Sequence, residues 1–338
     1  MMSNQQARPK FTEVDIARGI GVFCVILGHA LKQTEQHNAV FDGLLTFLYS
    51  FHVPLLFMLS GFVAVKILSF TGFEPRLDYI RSRIVRLLIP YIFISILYTP
   101  VKIVLSRYAI KPFRLSSLKY LLIGESPDVS LWFLYVLFLG SVICALILTE
   151  KTFPLLLAGS LILAIAAYAA GWTFRFPMYF IYFVAGIGLR KYYDRFRNML
   201  RSPGTILLSL VLFAAGNLLI HFRHWDLMTI VTAFTGTVLV LWISGKLAQL
   251  KDASGRLAGP SRAAQIYGEY SMDNYILSEP IMTFVKLVFW NILHTGYIVT
   301  TIVCFVISAA LPIPVSKLIV RKVPLFSLLI LGVPKGKA

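Results

Sequence analysis

Ten apolar runs, each close to the length needed to cross a bilayer, leave this 338-residue chain little choice of solvent. The hydrocarbon core of a membrane is ~30 Å thick and takes about 20 helical residues to span. The runs fall at roughly 14–31, 44–66, 86–106, 131–149, 153–171, 174–190, 204–221, 227–246, 271–290 and 297–317. Backbone that faces lipid must satisfy its own N–H and C=O groups, so each run is expected to be a helix. A mean hydropathy of +0.77 and a charged fraction of 14% suit this reading. A soluble domain carries charge on about a quarter of its residues. Disorder, a collagen-like fibre and a disulfide-stapled module are excluded on the same ground. The expected fold class is therefore all-α, a polytopic bundle of about ten transmembrane helices forming one integral-membrane domain over residues 1–338.

The net charge of +17 would suggest a nucleic-acid partner in a soluble protein. Its distribution argues otherwise. With the N-terminus in the cytoplasm, 22 of the 32 Lys and Arg fall on that side and seven on the other, with Arg18, Lys102 and Lys286 inside spans. Cytoplasmic connections collect positive charge, so both termini are expected there, as a segment at 1–13 and a basic tail at 318–338. Within the tail, Leu325–Val333 is too short to span and is expected at the interface or folded against the bundle. The charge is thus explained by topology, and nucleic acid loses its support. The longest connections are 107–130 outside and 247–270 inside, so no soluble catalytic domain is expected and chemistry must occur within the bundle or at its mouths. The first apolar run carries Asp15 and Arg18 and no clear small-residue cleavage site, so it reads as a retained span.

Ionisable groups inside spans cost about 2.5–3.5 kcal/mol each on insertion scales and are functional candidates by default. Arg18 and His29 are eleven residues apart, three turns plus roughly 20°, so they share a helix face about 16 Å apart along the axis. Asp15 stands three residues before Arg18 and can pair with it. Two readings stay open: interfacial anchors with His29 as an external cap, or a cation and an imidazole aimed into one site. Pro54 within the second span frees a carbonyl and kinks the helix before Ser60 and Gly61. Arg83 and Arg86 share a face, either as cytoplasmic anchors or as guanidinium groups suited to phosphate. Trp132 occupies an aromatic-belt position. Ser271, Asp273, Asn274, Ser278 and Glu279 crowd the ninth span and are expected to face inward. His221 and His224 have a spacing that could ligate a metal, but without further ligands close by beyond Asp226 no metal is expected. Cys24, Cys144 and Cys304 read as small buried hydrophobes.

Together these residues resemble the acyltransferase-3 family of integral-membrane transacylases. The resemblance rests on Asp15-x-x-Arg18-Gly19 with His29 eleven residues after the arginine, and on the Phe51–Phe62 string with Pro54, Ser60 and Gly61. It extends to Arg83-x-x-Arg86 followed by Pro90-Tyr91, and to Leu131-Trp132-Phe133-Leu134. The wording is most similar to the sugar O-acetylase branch. A late-span string of many members is only partly kept, since Ser278 stands where they carry a histidine and Met272 where they carry a tyrosine.

The resemblance implies an acyl-CoA co-substrate, acetyl-CoA first, and a sugar hydroxyl on a cell-envelope glycan or lipid-linked sugar as acceptor. It also implies a bacterial cytoplasmic membrane. His29 is expected as general base, with Arg18 and Asp15 completing the catalytic group. Arg83, Arg86, Ser60, Tyr91 and Trp132 are expected at the donor site. An acyl-enzyme on His29 or Ser60 is the less favoured route. A transporter of a small solute or lipid-linked sugar, with the buried Arg and His as its pathway, is the competing class, and a structural partner of an export complex is a third. Membrane lipid is a partner in every case, and a homo-oligomer is left open by the apolar surface.

Overall fold

In the computed structural model, which describes residues 11–32, 39–104, 119, 121, 123–124, 130–252 and 258–334, every regular element is helical. Residues 1–10, most of 107–130 and 335–338, with the expectations placed on them, lie outside the described residues. Six stretches are long and apolar enough to cross a membrane: Thr12–Leu31, Ala39–Ser69, Glu74–Val104, Pro203–Arg223, Met228–Leu250 and Tyr297–Lys322. The chain is an all-helical integral membrane protein. Apolar helices α6 (Trp132–Ile147) and α7 (Phe153–Ala169) are shorter.

The first span is α1 (Thr12–Leu31), which opens with Glu13 and Asp15 in its first turn, where carboxylates complement the helix dipole. The second is not one kinked helix but two, α2 (Ala39–Tyr49) and α3 (His52–Val63). The chain breaks at Ser50–Phe51, which puts Pro54 in the first turn of α3, where its missing N–H costs no hydrogen bond. The third expected span starts earlier than the apolar pattern, with α4 (Glu74–Arg83). It widens into a π-helical turn at Ile84–Leu88 and continues as α5 (Ile89–Val104).

Helix α8 (Phe176–Lys191) is buried along most of its length and lies against α3 at backbone contact. A Cβ on Gly61 would sit 2.0 Å from the Phe183 carbonyl oxygen, and one on Gly186 2.0 Å from that of Met58. After α9 (Tyr193–Met199) come α10 (Pro203–Arg223) and α11 (Met228–Asp252), which pack together.

The expected connection 247–270 is largely helical: α11 runs on to Asp252, and α12 (Ala258–Glu269) packs along α1. Its short side chains permit the approach. Gly268 faces the Asp15 carbonyl oxygen, which a Cβ would meet at 1.8 Å, and Gly19 faces that of Ala264 at 2.4 Å. Small residues let helix backbones close up in this way. Beyond it, α13 (Ser271–Lys286) buries Asp273, Asn274, Ser278 and Glu279 in the interior, as the polar density of that span led us to expect. Helices α14 (Tyr297–Ala310), α15 (Pro312–Leu318) and α16 (Pro324–Leu331) complete the chain. The last of these folds against α5.

Candidate active site

The two ends of α8 fix the two ends of the bundle. Arg190, near its C-terminus, lies 4.6 Å from the ring centre of Phe11 at the start of α1. Arg175, just before its N-terminus, lies 4.4 Å from the Trp132 ring and within electrostatic reach of Lys32 at the far end of α1. Functional side chains gather at both ends of the intervening core.

At the end where α1 begins, Arg18 Nη1 bonds Asp15 Oδ1 at 3.1 Å, the pairing that the i, i+3 spacing anticipates. Arg18 lines a cavity of about 90 Å³ with Ser60, Leu56, Phe133, Ser271, Met272 and Tyr275. Four helices thus converge on two of the residues read from sequence, Arg18 and Ser60. Ser60 donates its hydroxyl to the Leu56 carbonyl at 2.7 Å, one turn back in its own helix. That contact is a helix-internal one and leaves the hydroxyl unlike an activated nucleophile, which hands its proton to a neighbouring base.

Arg86 is within electrostatic reach of Arg18, Arg83, Arg321 and Asp273, so these charges form one cluster. The π-turn between α4 and α5 sets its geometry, since an extra residue in the turn rotates Arg86 away from simple helical spacing with Arg83. Arg86 Nη1 bonds the Leu331 carbonyl at 2.8 Å, using one of the orphan acceptors at the end of α16. Arg83 lies 4.7 Å from the Tyr79 ring, and its Nε is buried without a hydrogen-bond partner. Asp273, 1% exposed, takes a bidentate pair from Arg321, with Nε at 2.9 Å and Nη2 at 3.1 Å, and also accepts from Ser316. Sequence reasoning counted Arg321 merely among the cytoplasmic charges.

At the other end, His29 Nδ1 lies 3.2 Å from Glu279 Oε2 of α13. A carboxylate on one ring nitrogen fixes the tautomer and the orientation of an imidazole. Glu279 had been noticed in sequence only as one of several polar groups. The sharper signal was its position, a carboxylate next to Pro280 deep in an apolar span, which demands a partner. His52 is buried nearby with Nδ1 on the Leu48 carbonyl and its ring 4.7 Å from that of Tyr49.

Two residues expected at the donor site lie elsewhere. Trp132 opens α6 at the His29 end, its ring 4.9 Å from Tyr179 and 6.3 Å from Phe57, so it is not a neighbour of Arg86. The aromatic-belt pattern places a tryptophan at an interface without saying what it faces. Tyr91 donates to the Leu121 carbonyl at 2.8 Å and stands beside Tyr135, bracing α5 rather than lining the Arg18 cavity. Among the described residues no group of three His, Cys, Asp or Glu gathers to hold a metal; His221 Nδ1 lies 3.3 Å from Thr46 Oγ1.

An apolar bundle with an arginine cluster at one end and a carboxylate-held histidine toward the other defines a membrane protein built for polar chemistry within its core. The family model described as the acyltransferase domain, Acyl_transf_3, matches residues 11–317, and the chain belongs to this acyltransferase-3 family. It is a membrane acyltransferase. No curated protein and no solved structure matches the chain.

Proposed function

We propose that this protein transfers an acyl group, acetyl in the first instance, from acyl-CoA at the cytoplasmic face to a sugar hydroxyl of a cell-envelope or exported glycan. The setting is a bundle of about ten spans in a bacterial cytoplasmic membrane, both termini inside. The observation that carries the reading is the His29–Glu279 contact of 3.2 Å, joining two helices that are distant in sequence. With Nδ1 turned to the carboxylate, Nε2 is the nitrogen that meets the acceptor hydroxyl. As the hydroxyl oxygen bonds to the thioester carbonyl carbon, its proton passes to Nε2. Glu279 stabilises the imidazolium so formed. The C–S bond then breaks, and the CoA thiolate leaves and takes up a proton.

The CoA phosphates are polyanionic, and Arg83, Arg86 and Arg321 supply the cations that suit them. Arg18, held by Asp15 about three helical turns from His29, positions the donor beside Ser60. Direct transfer is favoured over an acyl-enzyme on Ser60, whose hydroxyl is committed to its own helix.

The test is radiolabelled acetyl transfer from acetyl-CoA to an envelope glycan extract by the reconstituted protein. Wild type is expected to label a glycan. His29→Ala is expected to fold and bind acetyl-CoA but not transfer, and Glu279→Gln to lower kcat while leaving KM for acetyl-CoA near wild type. Retained transfer by His29→Ala would overturn the assignment, and solute flux without consumption of acetyl-CoA would favour a transporter.

A further inference from the structure

The rim around His29 holds two cations that rest on aromatic rings. Lys32, the residue after α1, places Nζ 3.6 Å from the ring centre of Tyr49. Arg175, just before α8, lies over Trp132. Both are exposed, and among the described residues neither forms an ion pair with a carboxylate. They are also close enough to repel: partial desolvation of the ammonium group and the Arg175 guanidinium together lower the Lys32 pKa. Tyr49 lies against Gly28, the neighbour of the histidine in α1, and is in electrostatic contact with Glu279, Tyr179 and Arg175. Beneath Arg175, Trp132, Tyr179 and Phe57 form a continuous aromatic group, with Tyr179 and Phe57 stacked at 5.3 Å.

Two uncompensated like charges held together cost energy in the empty protein, and a bound anion removes that cost. Interfacial anchoring would need neither their mutual proximity nor the aromatic group beneath Arg175. Flat aromatic faces suit the C–H faces of a sugar ring, and the two cations suit a negative substituent on it. We infer that the rim formed by Lys32, Arg175, Tyr49 and Trp132 is an acceptor subsite selective for an anionic glycan, one bearing a carboxylate or a phosphate on or next to the acetylated sugar. The inference rests on the reading of His29 as the acceptor-side base, since that reading makes this mouth the one a sugar enters. Cations on the approach to a buried base also concentrate an anionic polymer there and orient it before reaction.

The experiment measures equilibrium binding of three probes to the full-length protein in neutral-lipid nanodiscs. The probes are a uronic-acid hexasaccharide, the same hexasaccharide with its carboxyls reduced to alcohols, and a phosphate-bearing hexasaccharide of the same backbone. Wild type is expected to bind a charged form about tenfold or more tighter than the reduced form, as charge-assisted hydrogen bonds would give. Which charged probe binds tighter identifies carboxylate or phosphate as the substituent. The double variant Lys32→Gln, Arg175→Gln should bind all three alike, while Lys32→Arg, Arg175→Lys should keep the preference. Far-ultraviolet dichroism and elution profile verify that the variants fold. Equal binding of charged and reduced forms by wild type, or a preference that survives in the Gln variant, would overturn the inference. So would charge dependence that appears only with anionic lipid in the disc, which would make the rim a lipid-headgroup anchor. Failure of acetyl transfer in the preceding test with the charge preference intact would remove His29's role and leave the subsite standing.

Discussion

The Arg18 end and the His29 end of the core both concentrate positive charge, yet they hold it differently. At the Arg18 end, Arg18 is tied to Asp15, Arg321 to Asp273, and Arg86 to the Leu331 carbonyl, with Arg83 alone resting on a ring. Most of these groups are fixed by acceptors that arrive from neighbouring turns or from other helices. At the His29 end, Lys32 and Arg175 both rest on aromatic faces and have no carboxylate partner among the described residues. The difference teaches that charge count alone does not identify a binding surface. Arg18 and Arg321 have their charge balanced by a carboxylate, whereas Arg83, Arg86, Lys32 and Arg175 have no such partner among the described residues.

The contrast can be broken most severely at the base itself. His29→Ala should lower the rate of acyl transfer by about 10²- to 10⁴-fold, the usual worth of a general base, read by product formation under saturating acetyl-CoA. Next in size is the anchor at the Arg18 end: Asp273→Ala removes both carboxylate acceptors of Arg321, leaving it Ser316, and should cost about 2–3 kcal/mol of stability. That is less than a fully buried pair would cost, because Arg321 keeps about a quarter of its side chain exposed. Denaturant titration by tryptophan fluorescence measures it. Arg83→Ala together with Arg86→Ala should weaken acetyl-CoA binding about tenfold or more, since each charge-assisted contact with phosphate contributes about 1.5–3 kcal/mol; calorimetry reads the change. Smallest is Arg81→Ala, on the same helix but paired with Asp78 in solvent. Exposed pairs of that kind contribute less than about 1 kcal/mol, so both stability and acetyl-CoA affinity should stay near wild type. An Arg81 effect as large as that of Arg83 and Arg86 would show that general positive charge, not position, governs the Arg18 end.

Much of the helical skeleton was legible because the membrane makes the hydropathy pattern almost a length measurement. The apolar runs fall on helix among the described residues, six of them long and apolar enough to span and the second broken in two, and the short Leu325–Val333 piece folds onto the bundle as α16. What the pattern could not carry was local geometry. The break at Ser50–Phe51 and the π-turn at Ile84–Leu88 leave hydropathy unchanged while redirecting His52 and Arg86. The helix α12 was hidden for another reason: its small, polar sequence looks like a loop until a glycine on α1 gives it somewhere to lie.

In the site, spacing rules worked where both partners share one helix, as for Asp15 and Arg18. They were silent on His29 and Glu279, which meet only because α1 and α13 pack together in the fold. Trp132 lies at the other end of the bundle from Arg86 because family motifs specify which residues recur, whereas the end they occupy depends on helix direction.

The glycine contacts set a limit on how this protein can move. Where Gly61 meets the backbone at Phe183 and Gly186 meets that at Met58, a slip of α3 along α8 by one residue would drive a side chain into a carbonyl. The same holds for Gly19 and Gly268 between α1 and α12. Neither pair can shear. Any opening during turnover must carry α3 with α8 and α1 with α12 as two welded bodies, and its hinges must lie elsewhere, at joints such as Ser50–Phe51 and the turn after Arg83.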